Sequence, residues 1–249
     1  MEGLAWLDRY FAEVTSRLER VRTTQREALQ KAARAIADCV AAGGLVHVHG
    51  CGHTQILVEE VWYRAGQPAY VSPLFDQALW PHNGPARASA LEKLPGYGTL
   101  LADAHDLRPG EVGIVLSNSG RNPTPIEVAL RMRDKGLTVV AITSMDYTTQ
   151  VASKHPSGKR LFEIADIVID NAGPLGDAAV SLPNGRRAAP VTTITNAATL
   201  GALFLEANAE LLRRGIEPPV FVSANLDQGP DVNETYVSRY AGRVHYYRT

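Results

Sequence analysis

Three short segments of the sequence combine glycine with hydroxyl or amide side chains, a composition that can hold an anion without a fixed positive charge. They are Gly50-Cys51-Gly52-His53-Thr54, Ser117-Asn118-Ser119-Gly120-Arg121-Asn122 and Thr143-Ser144. Glycine lets the backbone approach a ligand, hydroxyl groups donate hydrogen bonds, and a following helix offers unpaired N–H groups at its positive end. Each segment therefore predicts part of a phosphate site.

The first segment does not complete a dinucleotide-binding fingerprint. Gln55 stands where the third glycine of G-x-G-x-x-G belongs, and no acidic residue ends the second predicted strand, where a ribose would be held. The chain also lacks a lysine placed as in a P-loop. We therefore predict a phosphate-binding site and no cofactor.

Two histidines alternate on the first predicted strand. His47 and His49 share one face of the strand, with His53 just beyond, and this spacing can bind a metal. No acidic partner is evident nearby in the sequence, so a metal-free pair is favoured and no metal site is predicted. His53 itself could contact the ligand or relay a proton, because imidazole titrates near neutrality. The alternative for His53 is a hydrogen bond to the backbone at the start of a helix.

Other polar residues have two interpretations each. Asp177, after the fifth predicted strand, could bind the ligand or cap the following turn. Residues 74–110, rich in Pro, Gly, His and Trp, form a long insertion that is typical of a lid. The residues of this insertion that could reach a cleft are Asp76, His82 and His105. The polar tail, residues 217–249, contains Asn225 and Asp227, which could cover a site.

The elements that must position these segments are alternating strands and helices. Apolar runs rich in Val and Ile predict strands, and the helices between them indicate a parallel sheet covered on both faces, an α/β/α class. Thr124, Pro125 and Glu127 predict a capped helix start, which leaves Ser117 and Ser119 free for a ligand. The predicted strands are 45–49, 69–72, 112–116, 137–142 and 167–169, and the main predicted helices are 54–65, 125–135 and 191–214.

Residues 1–42 predict an N-terminal helical arm. Thr24 and Glu27 form a capping-box pattern that would begin a second helix. Apolar residues in the first helix step by three and four, close to a heptad. This spacing suits either a hairpin on the same subunit or packing against a partner chain. The near-heptad residues are Leu4, Leu7, Phe11, Val14, Leu18 and Val21.

Composition excludes several classes of protein. The 249 residues include 25 Lys and Arg against 26 Asp and Glu, a formal net charge of −1, which argues against a nucleic-acid partner. No apolar stretch is long enough to span a membrane. Cys39 and Cys51 are the only cysteines, too few for a disulfide framework, so a cytoplasmic protein is expected. We interpret residues 1–249 as one domain.

Taken together, the motifs resemble the SIS (sugar isomerase) domain over about residues 25–215. The resemblance rests on strand–GCGHT–helix, strand–SNSGRN–helix and a strand ending in Thr-Ser. It implies a five-stranded parallel sheet of order 2-1-3-4-5, with a phosphosugar at the ends of strands one and three. The family includes sedoheptulose-7-phosphate isomerase and N-acetylmuramic acid 6-phosphate etherase. The longer runs GCGHTQILVEEVWYRAG and NAGPLGDA are more similar to a subgroup of uncharacterised SIS-domain proteins.

The resemblance implies roles for single residues. Ser117 and Ser119 match the two serines that hold the phosphate, and Thr54 matches the hydroxyl residue that closes the first loop and donates to the same phosphate. Gly52 matches the glycine that admits the ligand. Asn122 stands where the family has Ser or Thr. The full predicted binding set is Gly50, Gly52, Thr54, Ser117, Asn118, Ser119, Gly120, Asn122, Thr143, Ser144 and Asp177.

Catalytic residues are predicted in the same way. The family's isomerases place a glutamate on the helix after the first loop, and Glu59 and Glu60 lie on that helix, one turn closer to Thr54. Glu60 keeps the matching helix face, so Glu60 is the predicted base, with Glu59 as the alternative and His53 assisting. An exposed or interface carboxylate is the other interpretation of Glu60. The family's ring-opening histidine often comes from a neighbouring subunit and has no match here.

We therefore predict a phosphosugar-binding protein that interconverts an aldose and a ketose through a carboxylate base. The alternatives are a non-catalytic phosphosugar sensor and an etherase or lyase of an N-acetylated phosphosugar. The helical arm and the pairing that is usual in the family predict a homodimer or higher homo-oligomer. The expected partner is a sugar phosphate, with neither nucleic acid nor a membrane.

Overall fold

The computed structural model describes residues 5–247 and is built around a parallel sheet of five strands. The strand order is β2-β1-β3-β4-β5, as the resemblance implied, and every neighbouring pair is parallel. The strands are β1 (Val46–Gly50), β2 (Val71–Pro73), β3 (Val112–Leu116), β4 (Thr138–Thr143) and β5 (Ile167–Asp170). A separate antiparallel hairpin, which the sequence did not predict, consists of β6 (Ala178–Ser181) and β7 (Arg187–Pro190).

Helices cover both faces of the sheet. They are α1 (Trp6–Thr24), α2 (Arg26–Ala41), α3 (Gln55–Glu60), α4 (Pro85–Glu92), α5 (Tyr97–Asp103), α6 (Pro123–Asp134), α7 (Met145–Thr148), α8 (Thr192–Arg213) and α9 (Gly229–Tyr240). Successive residues of a strand point to opposite faces, so each buried strand supplies two cores. Ile114 belongs to the core under α2 and α8, and Val115 to the core under α6. No helix of the described part is long and apolar enough to cross a membrane.

The N-terminal arm has its two helices, but not the predicted cap between them. Thr24 closes α1 by donating its hydroxyl to the carbonyl of Arg20, and α2 begins after Gln25 without a side-chain cap. The inner half of α1 packs on the same subunit through Val14 and Val21, whereas the outer half exposes apolar side chains. Leu4 lies outside the described residues.

Two predicted helix boundaries are wrong for tertiary reasons. The helix after the first loop ends at Glu60 rather than 65, because Tyr63 adopts a positive φ of 48° and its ring packs edge-on against Phe221. Helix α6 begins at Pro123, and the predicted capping box is absent. Thr124 instead donates to the carbonyl of Leu91.

Residues 74–110 contain two one-turn helices, Gln77–Leu79 and Pro81–Asn83, followed by α4 and α5, which pack along α6. The carboxylate of Glu127 accepts hydrogen bonds from the amides of Gly96 and Gly98, which fastens the start of α5 to α6. The tail carries α9 and ends in aromatic packing, in which Tyr247 stacks on Trp62. The insertion and the tail therefore both pack against the body of the domain, and a lid role of residues 74–110 stays a prediction.

Candidate functional site

A cleft of about 280 Å³ opens at the carboxyl ends of β1 and β3. The chain leaves β1 toward β2 on one side and returns to β3 on the other, so the cleft lies where the strand order reverses, the usual ligand position in open parallel sheets. The cleft brings the first and second predicted segments together. It is lined by Cys51, Gly52, His53, Thr54, Glu92, Leu116, Ser117, Asn118, Ser119, Tyr147 and Asp177.

The first loop is built on a close approach between Gly50 and Thr54. A Cβ at position 50 would lie 2.6 Å from Oγ1 of Thr54, so only glycine fits there. Gly52 adopts a positive φ of 57°. Thr54 donates its hydroxyl to the carbonyl of Cys51 at 2.6 Å. Thr54 therefore closes the loop, and its proton would have to leave that carbonyl before it could reach a phosphate.

The second loop presents two hydroxyl donors. Ser117 is 8% exposed, and its Oγ accepts from the amide of Gly120 at 3.2 Å. This bond is a structural role that the sequence did not predict for Ser117, and it leaves the hydroxyl proton without an acceptor among the described residues. The hydroxyl of Ser119 forms no hydrogen bond within residues 5–247. Gly120 is buried beneath the loop with a positive φ of 57°.

Asn118, between the two serines, locks the loop in place. Its Nδ2 donates to Oγ1 of Thr192 at 2.6 Å, and its Oδ1 accepts from Asn171 at 2.7 Å. The backbone carbonyl of Asn118 accepts from Oγ1 of Thr143 and from the amide of Ser144. Both of these residues are completely buried outside the cleft lining, and Ser144 donates its own hydroxyl to Gly173. Thr143 and Ser144 therefore support the loop from behind.

Asp177 acts as a cap, but for α8 and not for the turn that follows it, and its predicted contact with the ligand stays a prediction. Its Oδ1 accepts from the amides of Val191 and Thr192 at 3.2 and 3.0 Å, which caps the start of α8. Asp177 also lines the cleft, with a positive φ of 68° that aspartate tolerates better than most side chains. No hydrogen bond to its Oδ2 forms in the described part of the chain.

Glu92, the last residue of α4, is a lining carboxylate that sequence analysis missed. Its Oε1 accepts from Nδ2 of Asn122 at 2.8 Å. This bond occupies the amide that was predicted to bind phosphate, and Asn122 itself does not line the cleft. No motif identifies Glu92, and the only signal was the lid-like composition of its segment. Tyr147, on α7, is a second lining residue without a sequence signal.

The predicted carboxylates lie elsewhere. Glu60 is the final residue of α3 and pairs with Arg64, and Glu59 is exposed. Neither belongs to the cleft lining. His53 does line the cleft, and its exposed ring forms no hydrogen bond within the described residues. Of the three predicted catalytic residues, the structure thus brings only His53 to the cleft beside the second loop, residues 117–122, which we call the serine loop.

The candidate residues of the insertion and the tail do not reach the cleft. Asp76 accepts the hydroxyl of Tyr97, and His82 is exposed on a one-turn helix. Burial lowers the pKa of His105 to about 4, and His105 lines a separate cavity. In the tail, Asn225 and Asp227 are exposed and lie outside the lining.

The two histidines of β1 are buried and lie outside the cleft lining. Nε2 of His47 lies 2.8 Å from Oε2 of Glu111, which is the acidic partner that the sequence did not reveal. Burial would raise the pKa of Glu111, but hydrogen bonds from His47 and Arg243 outweigh it and lower that pKa to about 2. Among residues 5–247, no three His, Cys, Asp or Glu side chains are grouped to hold a metal ion.

His49 and Cys51 form a neutral pair. Burial lowers the pKa of His49 to about 4 and raises that of the Cys51 thiol well above its usual value. Nε2 of His49 lies 3.3 Å from the sulfur. Cys51 therefore contributes a thiol, and not a thiolate nucleophile, to the cleft wall.

Comparisons with known proteins agree with this architecture. The family model described as "SIS domain" matches residues 9–144. A UPF0309 protein of Geobacillus kaustophilus is 40% identical over 239 residues, 96% of this chain and 95% of that relative. A UPF0309 protein of Listeria monocytogenes serotype 4b is 39% identical over 236 residues, 94% of this chain and 96% of the relative.

Solved structures share the fold at low identity. A phosphoheptose isomerase from Francisella tularensis superposes with a TM-score of 0.57 at 16% identity, covering 84% of this chain and 100% of that chain. The Vibrio vulnificus NanR protein, solved as a complex with ManNAc-6P, gives 0.50 at 12% identity, with 97% and 70% covered. At these identities the likeness shows the fold alone.

Proposed function

The chain belongs to the SIS-domain family, and from this membership we propose that it binds a sugar phosphate and interconverts its aldose and ketose forms. One observation carries the proposal: the cleft sets the free hydroxyl donors of Ser117 and Ser119 in one space with the carboxylate of Glu92. The fold that this chain shares with a phosphoheptose isomerase supports it.

Ser117 and Ser119 are the proposed phosphate ligands. Phosphate oxygens accept hydrogen bonds, and each of these side chains has a hydroxyl proton without a protein acceptor in the described part. The following helix α6 has 12 residues and directs its positive end toward the same loop. Thr54 joins the set if its hydroxyl turns from the carbonyl of Cys51. Gly50, Gly52 and Asn118 shape the pocket.

Glu92 is the proposed base in place of Glu60 and Glu59. Isomerisation moves a proton from C2 to C1 of the open-chain aldose through an enediol, so the base must face the bound sugar. The Glu92 carboxylate takes the C2 proton and returns it to C1. His53, at the same cleft, moves the balancing proton between the oxygens on C1 and C2.

A non-catalytic phosphosugar-binding protein is the second candidate. It is favoured by the position of Glu60, which is turned to Arg64 outside the cleft, because an isomerase of the predicted type needs that glutamate. The NanR structure with ManNAc-6P supports sugar-phosphate binding by this fold without naming a reaction. An etherase would also use a carboxylate in the cleft to remove the C2 proton.

We also propose that two copies associate through α1 and α8. Leu7 and Phe11 on α1 are 62% and 64% exposed, and Leu205 and Leu212 on α8 are 71% and 54% exposed. A groove of about 420 Å³ is lined by residues of α8, the end of α1 and the start of α2. Exposed apolar side chains on two helices that pack on each other suit contact with the same helices of a second copy. The cytoplasmic location expected from the sequence stays a prediction.

A thermal-shift screen tests the proposal, with each sugar phosphate paired with its unphosphorylated sugar. Ligand at 100 times its dissociation constant adds about 2.7 kcal/mol of stability. We expect stabilisation by phosphorylated sugars alone, lost in Ser119→Ala and kept in Ser16→Ala, an exposed serine of α1. Proton exchange at C2 then separates the isomerase from the binding protein. Equal stabilisation by free sugars would contradict phosphate recognition by this loop.

A further inference from the structure

We propose that the cleft selects sugar phosphates that carry no second acidic group, and that Asp177 enforces this selection. The inference rests on the proposed function, because it takes Ser117 and Ser119 as the phosphate ligands. It goes further by defining the chemical class of the sugar: a neutral polyhydroxy or an amino sugar, and not a phosphorylated sugar acid.

The side chains that line the cleft carry mainly negative charge. Glu92 and Asp177 line it, and the lining contains no lysine or arginine among the described residues. Arg121, the arginine of the serine loop itself, lies outside the lining. Among residues 5–247, His53 is therefore the only lining side chain that can carry a positive charge. A phosphate can be held by hydroxyl and backbone donors, whereas a second anion would meet two carboxylates and, in the described lining, no lysine or arginine to balance them.

The two carboxylates reach the serine loop through different residues. Glu92 is joined to it through Asn122, at the end of the loop that leads into α6. Asp177 is joined through Thr192, whose amide donates to Asp177 and whose hydroxyl accepts from Asn118. Hydrogen bonds thus connect both acids to the loop of the phosphate ligands, and both acids line the same cleft as Ser117 and Ser119.

Each carboxylate keeps one oxygen free. Oε1 of Glu92 and Oδ1 of Asp177 take the protein donors, and neither Oε2 nor Oδ2 accepts a hydrogen bond within residues 5–247. Free carboxylate oxygens accept from sugar hydroxyls and pair with an ammonium group. They repel a carboxylate. Ser117, nine-tenths buried with an unused hydroxyl proton, independently indicates that this space is built to receive an acceptor group.

The test compares two ligands that differ at one carbon. Glucitol 6-phosphate and 6-phosphogluconate are both open six-carbon chains with one phosphate, and only the second has a carboxylate at C1. We expect 6-phosphogluconate to bind at least about tenfold more weakly by titration calorimetry. That factor corresponds to two unit charges about 6 Å apart at an effective dielectric constant of about 40. Glucosamine 6-phosphate should bind at least as tightly as glucose 6-phosphate.

Asp177→Asn is the diagnostic variant. The asparagine oxygen still accepts from the start of α8, and asparagine tolerates the positive φ, so the fold is kept while the charge is removed. We expect the ratio of the dissociation constants, 6-phosphogluconate over glucitol 6-phosphate, to fall several-fold toward one. Asp134→Asn is the matched control, because Asp134 is exposed near the far end of α6 and outside the cleft. It should leave the ratio unchanged.

The outcomes separate this inference from the proposed function. Equal affinity for both ligands, with both lost in Ser119→Ala, would overturn the charge selection and leave phosphate binding intact. If the ratio of the two dissociation constants is as large in Asp177→Asn as in the wild type, the role of Asp177 is overturned. If none of the four phosphates binds the wild-type protein, the proposed function and the selection fail together.

Discussion

Oε1 of Glu92 accepts a hydrogen bond of 2.8 Å from Nδ2 of Asn122, which joins the end of α4 to the start of α6. The two residues are 30 positions apart in the chain. Through this bond the inserted segment 74–110 supplies a carboxylate to the cleft, and Asn122 orients it. The predicted phosphate ligand at position 122 is therefore proposed to position the base.

Glu92→Gln is expected to stop proton exchange at C2 of a bound sugar phosphate. The glutamine keeps an oxygen for Asn122 but cannot take a proton, and removal of a general base typically costs 10²- to 10⁴-fold in rate. Exchange is followed by NMR in deuterated water, with binding measured separately and expected to persist. Glu60→Gln, outside the cleft, is the control and should exchange at the wild-type rate. If exchange stopped in Glu60→Gln and continued in Glu92→Gln, Glu60 would be the base.

Ser117→Ala and Ser119→Ala should differ in stability while both weaken phosphate binding. Alanine at 117 leaves the amide of Gly120 without its acceptor, a loss of about 1 kcal/mol of unfolding free energy. Alanine at 119 removes no hydrogen bond within the described part of the chain and should change stability by less than about 0.5 kcal/mol. Urea unfolding and ligand titration of both variants check this. Equal stability of the two variants would contradict the turn role of Ser117.

Glu111 should make stability depend on acid pH. Its pKa is lowered from 4.5 to about 2 because donors from His47 and Arg243 outweigh the cost of burial. A lowered carboxyl pKa stabilises the fold above the unfolded value, and this contribution is lost as the pH falls from about 5 toward 2. The shift corresponds to about 3 kcal/mol at neutral pH.

Glu111→Gln is the corresponding variant. We expect it to lose about 3 kcal/mol at pH 7, since it leaves His47 and Arg243 without their charged acceptor. Its stability should also fall less between pH 5 and pH 2 than that of the wild type. Urea unfolding over this pH range measures both effects. Glu217→Gln, at an exposed site, is the control and should keep the wild-type profile.

Leu205→Glu is expected to separate the proposed dimer. Leu205 is 71% exposed on the outer face of α8, and a buried charge at an interface is costly. Sedimentation velocity should show the wild type as a dimer or larger and the variant as a smaller species. Leu100→Glu on α5, at a site 72% exposed, is the matched control. A monomeric wild type would contradict the α1–α8 interface.

The sequence by itself determined the sheet and the loops that follow its strands. Apolar runs rich in Val and Ile predict strands buried on both faces, and the glycine and serine segments after them are local signals. Gly50 and Gly120 show why such signals are reliable: one faces Thr54 too closely for a Cβ, and the other needs a positive φ. The order of the strands followed from the family resemblance of these same segments.

The tertiary structure decided which charged groups meet these loops. Glu92 reaches Asn122, and His47 reaches Glu111, across 30 and 64 positions of the chain, and no periodicity of the sequence encodes either approach. The sequence pattern predicted that Glu60 lies inside a helix that continues to residue 65. Aromatic packing around Tyr63 ends that helix early and leaves Glu60 beside Arg64. Local propensity fixes a loop, whereas the position of a carboxylate depends on how distant elements pack.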